Sequence, residues 1–431
     1  MGAPTRGIPV GDAAEVVIGS VVDPGGVPRA KTVPARHAGR FAAEGMGAAV
    51  SWSVFCADDQ LAFTPEFSVV GDLRLRLAAD GLRDLGEGLA WGPCTVVAQD
   101  GSPAPVCTRS ALSRVVADLA RDGLSARVGH EVEFTVFGGP PRPWSAYGLG
   151  AVLDRADVLR DILHRADRAG LDVLQLHAEY GPDQFELSLA PSDPVTAADE
   201  VILARTVVSQ AARAAGLAAS FSPLPTAEGA GNGAHQHLSL RRRRAPVLAG
   251  GRGPFGLTAT GSAAIAGILR DLPDLGAVLT GSVLSGHRLR PGMWSGAWVC
   301  WGPENREAAV RLCRHEQRDP DAVSIEIKAV DASANPYLAT ALLLAAAHRG
   351  IRESLIAPEP VTADPPGSGA ARLPDTGSEQ LSRLAGSERV RSVLGAPLVT
   401  AIAAVRSREH ATWDGEPVAA RADRFRFSWT P

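Results

Sequence analysis

The chain of 431 residues is longer than one ordinary hydrophobic core requires, so two domains are expected. Its net charge of −4 gives no general reason to expect nucleic acid or an anionic membrane as a partner, and five cysteines without CxxC spacing argue against a disulfide framework or a thiolate zinc site. The first twenty residues lack a basic segment followed by an apolar one and no apolar run approaches membrane-spanning length, which predicts a soluble, cytoplasmic protein.

The first hundred residues read as strands joined by turns. Few helix signals occur before residue 105, so residues 1–105 are predicted to form a small β-rich domain and residues 106–431 a second domain. The strands are predicted at residues 15–22, 51–63, 69–77 and 89–99.

Helices are predicted in much of the remaining chain. Ser110 is expected to cap a helix that ends at Gly123, and a loop rich in proline and glycine is expected at residues 358–376, followed by helical sequence to about residue 408. The other helices are predicted at residues 154–169, 197–215, 262–279 and 335–355.

Two strand-like segments each carry a pair of glutamates. In residues 126–137, Glu131 and Glu133 share one face at a backbone separation of about 6.5–7 Å. In residues 177–189, Glu179 and Glu186 flank a Gly181-Pro182 break. Their separation of seven residues would put them on opposite faces of one continuous strand, so the turn must redirect Glu179 if both serve one site.

Two further segments place polar side chains on one strand face. Residues 231–240 carry His235, His237 and Ser239 behind a glycine-rich entry, and residues 324–330 carry Ser324, Glu326 and Lys328. Any one of the four segments is better explained as a half-buried strand with solvated polar groups. Together they offer five glutamates and a histidine, which would repel one another unless divalent cations neutralised them.

The ligand set is rich in hard oxygen donors, which favours Mg²⁺ or Mn²⁺ over a structural zinc site. Two metal ions sharing six ligands would leave open positions for phosphate oxygens, as phosphoryl transfer requires. Arg288, Arg306 and Arg311 could bind carboxylate or phosphate oxygens, although each alone is more simply a surface residue in an arginine-rich chain. His130 and His177, next to these glutamates, are expected to be packed or supporting groups rather than ligands.

Six motifs in chain order resemble those of the glutamine synthetase family: EVE, HAEYGPDQFE, GNGAHQHLSL, RLRPG, WGPENREAAVR and SIEIKAVDASANPYL. The resemblance covers residues 125–355 and is weaker in the first hundred residues. It implies an α+β fold, with an amino-terminal β-grasp domain and a catalytic domain in which helices surround an antiparallel half-barrel. It also implies ATP as co-substrate and a homo-oligomer of stacked rings, most often a dodecamer, whose sites are shared between subunits.

The resemblance implies a role for each matched residue. Two to three Mg²⁺ or Mn²⁺ ions per site are expected, one on Glu133, Glu179 and Glu186 and a second on Glu131, His235 and Glu326. The nucleotide would contact His237, Ser239, Arg306, Arg311 and Ser324. The catalytic and substrate-side positions would be Arg288, which would grip the α-carboxylate of glutamate, Arg306, Lys328 and Trp294.

Two departures bear on the nucleophile. The family forms γ-glutamyl phosphate from ATP and glutamate, which ammonia then attacks. Trp294 stands where authentic glutamine synthetases carry a glutamate that shields the intermediate and helps deprotonate ammonium, and residues 50–53 stand nearest to the ammonium-binding Asp-Gly-Ser-Ser stretch, which is absent. Losing two carboxylates should weaken the hold on ammonium, while Trp52 or Trp294 could contact an organic amine.

The sequence therefore predicts an ATP-dependent ligase that joins the γ-carboxylate of glutamate to an organic amine or a related nitrogen nucleophile. An authentic glutamine synthetase and a non-catalytic ring protein are the alternatives, and retention of all six predicted metal ligands argues against the second. Lys328, where the family usually has an arginine, and Ala230, where it usually has an asparagine, leave open a modified glutamate as the acyl donor.

Overall fold

The computed structural model describes residues 14–140, 142–243, 245–314 and 323–431, and most of its strands lie in two sheets. The first sheet has the order β2-β1-β6-β4-β3, with β5 beside β6, and only the β1–β6 pair is parallel. Its strands are β1 (Val16–Val22), β2 (Pro28–Pro34), β3 (Met46–Ala49), β4 (Asp72–Leu77), β5 (Arg83–Gly86) and β6 (Leu89–Val97). Helix α1 (Ala38–Glu44) packs on this sheet through the buried Phe41.

The prediction of a strand at residues 51–63 is wrong. The segment forms a 3-10 helix, Val50–Val54, followed by a single bridge between Phe55 and Leu61. The backbone N–H of Ala57 donates to the Glu409 carboxylate at 2.7 Å, so a distant side chain satisfies a group that a strand would have paired. The strands predicted at residues 15–22, 69–77 and 89–99 are confirmed, whereas β2, β3, β5 and α1 were not predicted.

The second sheet has the order β13-β14-β15-β11-β7-β9-β8, with β10 beside β7 and β12 beside β11. Neighbouring strands are antiparallel except the edge pair β13 and β14, which is parallel. The strands are β7 (Leu124–Phe137), β8 (Val173–Ala178), β9 (Gln184–Leu189), β10 (Ala218–Ser220), β11 (Gln236–Arg242), β12 (Ala245–Pro246), β13 (Trp298–Pro303), β14 (Ala308–Cys313) and β15 (Ser324–Ile327).

Helices pack around the second sheet. They are α2 (Thr108–Arg121), α3 (Leu149–Asp154), α4 (Ala156–Arg168), α5 (Pro194–Ala214), α6 (Ala259–Asp271), α7 (Gly276–Leu279), α8 (Ser285–Arg288), α9 (Pro336–Arg352), α10 (Gly377–Gly386), α11 (Glu388–Leu394), α12 (Ala396–Trp413) and α13 (Val418–Phe425). The helices predicted at residues 154–169, 197–215 and 335–355 are confirmed within a few residues. Helical sequence continues beyond residue 408, to Phe425.

Two helix predictions need correction. The segment 262–279 is broken by a 3-10 turn, Leu272–Asp274, because Pro273 lacks the N–H that a continuous helix would use. Helix α2 is capped by Cys107, whose Sγ accepts from the Ser110 backbone N–H, so Ser110 lies inside the first turn. All five cysteines are unpaired, as predicted.

The core between α6 and α9 depends on close backbone contact. A Cβ atom on Gly267 would lie 2.2 Å from the Ala346 carbonyl oxygen, and one on Gly350 would lie 2.1 Å from that of Ala263. Glycine at both positions therefore lets the two helices approach closely. Within the described ranges no single helix could span a membrane, although α11 and α12, bent by 113°, meet the length and composition criteria as a pair.

Asn335 joins the two sheet regions. Its Oδ1 accepts from the backbone N–H groups of Tyr337 and Leu338 and so caps α9, as the sequence indicated. Its Nδ2 donates at 3.0 Å to the carbonyl oxygens of Val22 and Asp23, at the end of β1. One buried side chain therefore satisfies four backbone groups from distant parts of the chain.

Asn335→Ala should lower the free energy of unfolding by about 2–3 kcal/mol, since it removes a cap and one of two donors to each of two carbonyls. The Val22 carbonyl would keep the Thr108 hydroxyl and the Asp23 carbonyl would keep the Gly26 N–H. Asn335→Asp, which retains the accepting oxygen but not the donor, should also be destabilising. Thr376→Ala, which removes the exposed cap of α10, is the control and should cost about 1 kcal/mol at most. Urea unfolding of the three variants measures the difference, and equal losses for Asn335→Ala and Thr376→Ala would contradict the bridging role.

Candidate functional site

Three neighbouring strands place acidic and imidazole groups together. Glu131 and Glu133 lie on β7, where Glu133 pairs in register with Glu186 of β9. On the other side, His235 directly precedes β11. The Glu131 carboxylate lies 2.9 Å from His235 Nδ1 and 3.1 Å from His237 Nε2, so the two imidazoles bracket it.

The turn between β8 and β9 redirects Glu179, as predicted. Asp183 adopts a left-handed conformation with φ of 54°, and the Glu179 N–H donates to the Gln184 carbonyl at 2.8 Å. His177 Nε2 lies 3.0 Å from the Glu179 carboxylate and 4.0 Å from that of Glu186. Both glutamates therefore face one place despite their odd separation, and His177 contacts both.

Glu326 is almost completely buried and has two cationic neighbours. Lys328 Nζ lies 3.2 Å from its Oε1, and Arg311 Nη1 lies 3.1 Å from its Oε2. His235 Nδ1 is 3.7 Å from Oε1. The lysine and the arginine thus lie beside a predicted metal ligand.

The structure brings the six residues predicted as metal ligands together in one cluster. Glu133 is held by the Gln184 side-chain amide at 3.1 Å and by the Gly233 N–H at 2.8 Å. Three groups have ligand atoms within 4.8 Å of one another: Glu131, Glu186 and His235; Glu131, His237 and Glu326; and His177, Glu179 and Glu186.

The electrostatics of the cluster show a surplus of negative charge. Burial, together with the carboxylates of Glu131, Glu133 and Glu179, raises the pKa of Glu186 to about 9. Burial alone would also raise the pKa of Glu131, but hydrogen bonds with His235 and His237 hold it well below its usual range. Without a cation, one carboxyl of the cluster therefore keeps its proton at neutral pH.

Glu326 and His237 are shifted toward their charged forms. Burial opposes the charge of Glu326, but Lys328, His237 and His235 lower its pKa to about 2. Burial likewise opposes protonation of His237, but contacts with Cys313, Glu131 and Glu326 raise its pKa well above the usual value. The protein's own cations thus balance the Glu326 side of the cluster, while the Glu186 side lacks positive charge.

This donor set fits a hard divalent cation. Carboxylate oxygens dominate, imidazole nitrogens complete it, and the raised pKa of Glu186 marks the place where added positive charge would be most favourable.

Arg288 is buried beside the cluster with one unused nitrogen. Its Nη2 lies 3.2 Å from His235 Nε2, while its Nη1 is buried without a hydrogen-bond partner. A Cβ on Gly233 would lie 2.7 Å from Arg288 Nη2 and 2.6 Å from His235 Nε2, and one on Gly231 would lie 2.8 Å from Arg288 Cγ. The glycine-rich entry thus leaves room for Arg288 to reach the site, where Nη1 could bind an anionic substrate group.

The predicted nucleotide residues are only partly assembled. His237 Nδ1 lies 3.2 Å from Ser324 Oγ. Arg311 on β14 bonds Glu326, which lies on the same strand as Ser324. Ser239 follows His237 on β11 and is half-buried, and Arg306 is exposed on the turn before β14. In the described parts of the chain, no hydrogen bond or ion pair joins Ser239 or Arg306 to the other three.

Trp294 lies in the loop between α8 and β13. Its side chain is 54% exposed, and its backbone is left-handed with φ of 51°. Trp52 lies in the 3-10 helix Val50–Val54, with the Lys31 ammonium 5.1 Å from its ring centre. The two tryptophans therefore occupy separate elements of the chain.

Three residues near the site were not assigned a role from sequence. Gln184 bonds Glu133, and its position between Glu179 and Glu186 was a usable signal. Tyr147 shares a hydrogen bond with Glu179, and burial with that carboxylate raises the pKa of Tyr147 to about 12. Glu307, whose carboxylate bonds the backbone of the Trp294 loop, gave no signal beyond its place in the WGPENREAAVR motif.

Known proteins resemble this chain in both sequence and structure. Residues 105–425 match the glutamine synthetase catalytic domain. The γ-glutamylpolyamine synthetase GlnA3 of Streptomyces coelicolor is 37% identical over 426 residues, which cover 94% of this chain and 91% of that protein. A glutamine synthetase of Mycolicibacterium smegmatis is 32% identical over 272 residues, or 61% of each protein.

Solved structures agree over nearly the whole chain. A glutamine synthase homolog superimposes with a TM-score of 0.90 at 28% identity, covering 96% of this chain and 99% of that one. GmaS in complex with ADP superimposes with a TM-score of 0.84 at 28% identity, covering 96% and 97%. The chain belongs to the glutamine synthetase family.

Proposed function

We propose that the protein is an ATP-dependent ligase that forms γ-glutamyl amides from glutamate and an organic amine through γ-glutamyl phosphate. Family membership supports the ligase class, and the similarity to a γ-glutamylpolyamine synthetase over 94% of the chain supports an amine in place of ammonia. A polyamine is the amine class we favour.

The observation that carries the amine proposal is Trp294. It stands at a position where the family resemblance expects a glutamate, six residues after the buried Arg288. An exposed indole on the loop that follows Arg288 offers a face to the alkyl chain or to a further ammonium group of a polyamine. It offers no carboxylate to hold or deprotonate a small ammonium ion.

The site residues are assigned the following roles in this proposal. Mg²⁺ or Mn²⁺ would be held by Glu131, Glu133, Glu179, Glu186, His235 and Glu326, with His177 supporting Glu179, and would supply charge stabilisation to the transferring phosphoryl group. Arg288 binds the α-carboxylate of glutamate through its unused Nη1. Lys328 would lie on the side of the reacting γ-carboxylate, and Arg306 and Arg311, with His237, Ser239 and Ser324, would bind the nucleotide.

We also propose the domain division and assembly that the family resemblance implies. A boundary near residue 105 is supported by the confinement of the first sheet to residues 16–97 and by the start of the family match at residue 105. The amino-terminal unit would be β-grasp-like, and residues 106–431 would form the catalytic domain. A cytoplasmic ring, dodecameric by analogy with the family, would then bring the first domain of one subunit to the site of its neighbour.

Phosphate release from Mg²⁺–ATP and L-glutamate tests the function directly. We expect kcat/KM with a polyamine to exceed that with ammonia by about tenfold or more, since the site lacks the two ammonium-binding carboxylates. Ethanolamine, alkylamines and anilines complete the panel, and mass spectrometry identifies the product. Efficient glutamine formation would instead support an authentic glutamine synthetase. Turnover only with a modified glutamate would show that the acyl donor is not glutamate itself.

Trp294→Glu should raise the ratio of ammonia to polyamine kcat/KM by about tenfold, because it removes an indole contact and adds a carboxylate for a small cation. Trp294→Phe, which keeps an aromatic face, is the matched control and should retain the preference for polyamine. An unchanged ratio in Trp294→Glu would show that Trp294 does not select the nucleophile.

Glu186→Gln should weaken Mn²⁺ binding by about tenfold or more and yet not destabilise the metal-free protein. Folding raises the pKa of Glu186 from 4.5 to about 9, so burial of this group costs stability progressively as the pH rises above 4.5. Removing the ionisable group should therefore raise the melting temperature at pH 7.5, with a smaller gain near pH 4.5.

Thermal unfolding and Mn²⁺ titration, each compared with the exposed variant Glu359→Gln, measure these two effects of Glu186→Gln. Unaltered Mn²⁺ affinity would remove Glu186 from the ligand set. A lower melting temperature for metal-free Glu186→Gln at pH 7.5 would contradict the electrostatic argument.

A further inference from the structure

Glu307 is a buried carboxylate bonded entirely to one loop. It lies directly before β14 and is 8% exposed. Its Oε1 accepts from the Gly292 N–H at 2.6 Å and its Oε2 from the Trp294 N–H at 2.9 Å. Both oxygens are thus used by backbone groups of the loop 290–296, which we call the tryptophan loop.

The tryptophan loop has a conformation that needs such an anchor. Gly292, Trp294 and Gly296 all have positive φ, of 80°, 51° and 76°. Glycine adopts this conformation freely, but a tryptophan does so at a cost in free energy. The N–H groups of Gly292 and Trp294 both point to the Glu307 carboxylate, while that of Met293 between them donates to the Arg290 carbonyl.

The two ends of the tryptophan loop are fixed to the candidate site. Before the loop, Arg288 contacts His235. At its other end, a Cβ on Gly296 would lie 2.8 Å from Lys328 Cβ and 3.1 Å from Ala309 Cα, so the backbone lies directly on β14 and on Lys328. Glu307 holds the middle of the loop between these two fixed points.

Glu307 is itself held in place. Its N–H donates to Asn305 Oδ1 at 3.1 Å, and Asn305 Nδ2 donates to the carbonyl oxygens of Val361 and Ala363 at 2.9 and 3.1 Å. The carboxylate therefore projects from an anchored turn. Because its position is fixed, the loop backbone bonded to it is fixed as well. With both oxygens occupied and little exposure, Glu307 is poorly placed to exchange protons with a substrate.

We infer that Glu307 is a positioning residue that fixes the tryptophan loop so that Trp294 is presented to the incoming amine. The inference rests on the proposed function for what Trp294 recognises, whereas the clamp itself rests on the hydrogen bonds alone. Two residues then determine which amine is selected: Trp294, which contacts the amine, and Glu307, which holds the backbone of Trp294 in place.

Hydrogen exchange of the full-length protein without substrate tests the clamp. In Glu307→Gln, the amides of Gly292 and Trp294 should exchange about tenfold faster, since one carboxylate oxygen is replaced by an NH₂ group that cannot accept from them. Glu307→Asp keeps the charge on a shorter side chain and should show a smaller increase, so it carries the test if Glu307→Gln fails to fold. Glu416→Gln, an exposed change of the same type, should exchange like the wild type.

Kinetics test the link to the amine. The KM for the polyamine should rise about fivefold or more in Glu307→Gln, while the KM for ATP stays within about twofold. Unchanged exchange in Glu307→Gln or Glu307→Asp would overturn the clamp, and faster exchange with an unchanged amine KM would overturn its role in amine selection. A wild-type protein that protects both amides but ligates no amine would defeat the proposed function and leave the clamp standing.

Discussion

Mutual repulsion among carboxylates is the constraint on which the catalytic region depends. Glu131, Glu133 and Glu186 project from adjacent strands into one small volume, and Glu179 joins them across a turn. In a medium of low polarity such a group cannot be fully ionised without compensation, which is why burial and its neighbours raise the pKa of Glu186 to about 9. The sheet must therefore hold these groups together against a force that a cation would relieve.

The protein compensates the two sides of the cluster differently. Glu326 forms ion pairs with Lys328 and Arg311, and Lys328, His237 and His235 lower its pKa to about 2. Around Glu186, among the residues that the structure describes, His177 and His235 approach, and the effect of Lys328 is outweighed by burial and by three carboxylates. The two sides of the cluster therefore differ in how far the protein's own basic side chains balance the carboxylates.

Much of this could be predicted from the sequence because alternation along a strand is a local property. The faces carrying Glu131, His237 and Glu326, and the redirecting turn after Glu179, follow from residue spacing alone. The contacts of Glu131 with His235 and His237 did not follow, since they depend on which side chains meet across strands. The strand predicted at residues 51–63 failed for a similar reason, because Glu409 lies more than three hundred residues away in sequence. Tyr147 and Glu307 act through contacts that no local pattern encodes.

The bond from Asn335 to the end of β1 has a consequence for the order in which the chain folds. Donor and acceptor are 313 residues apart in sequence, and Trp429 similarly donates to the Gly25 carbonyl from 404 residues away. A ribosome would finish β1 long before either donor emerged. The bonds from Asn335 and Trp429 to this region therefore cannot form until nearly the whole chain has been synthesised. Closure of the amino-terminal region onto the rest of the subunit is accordingly a late, non-local event that couples the folding of the two regions.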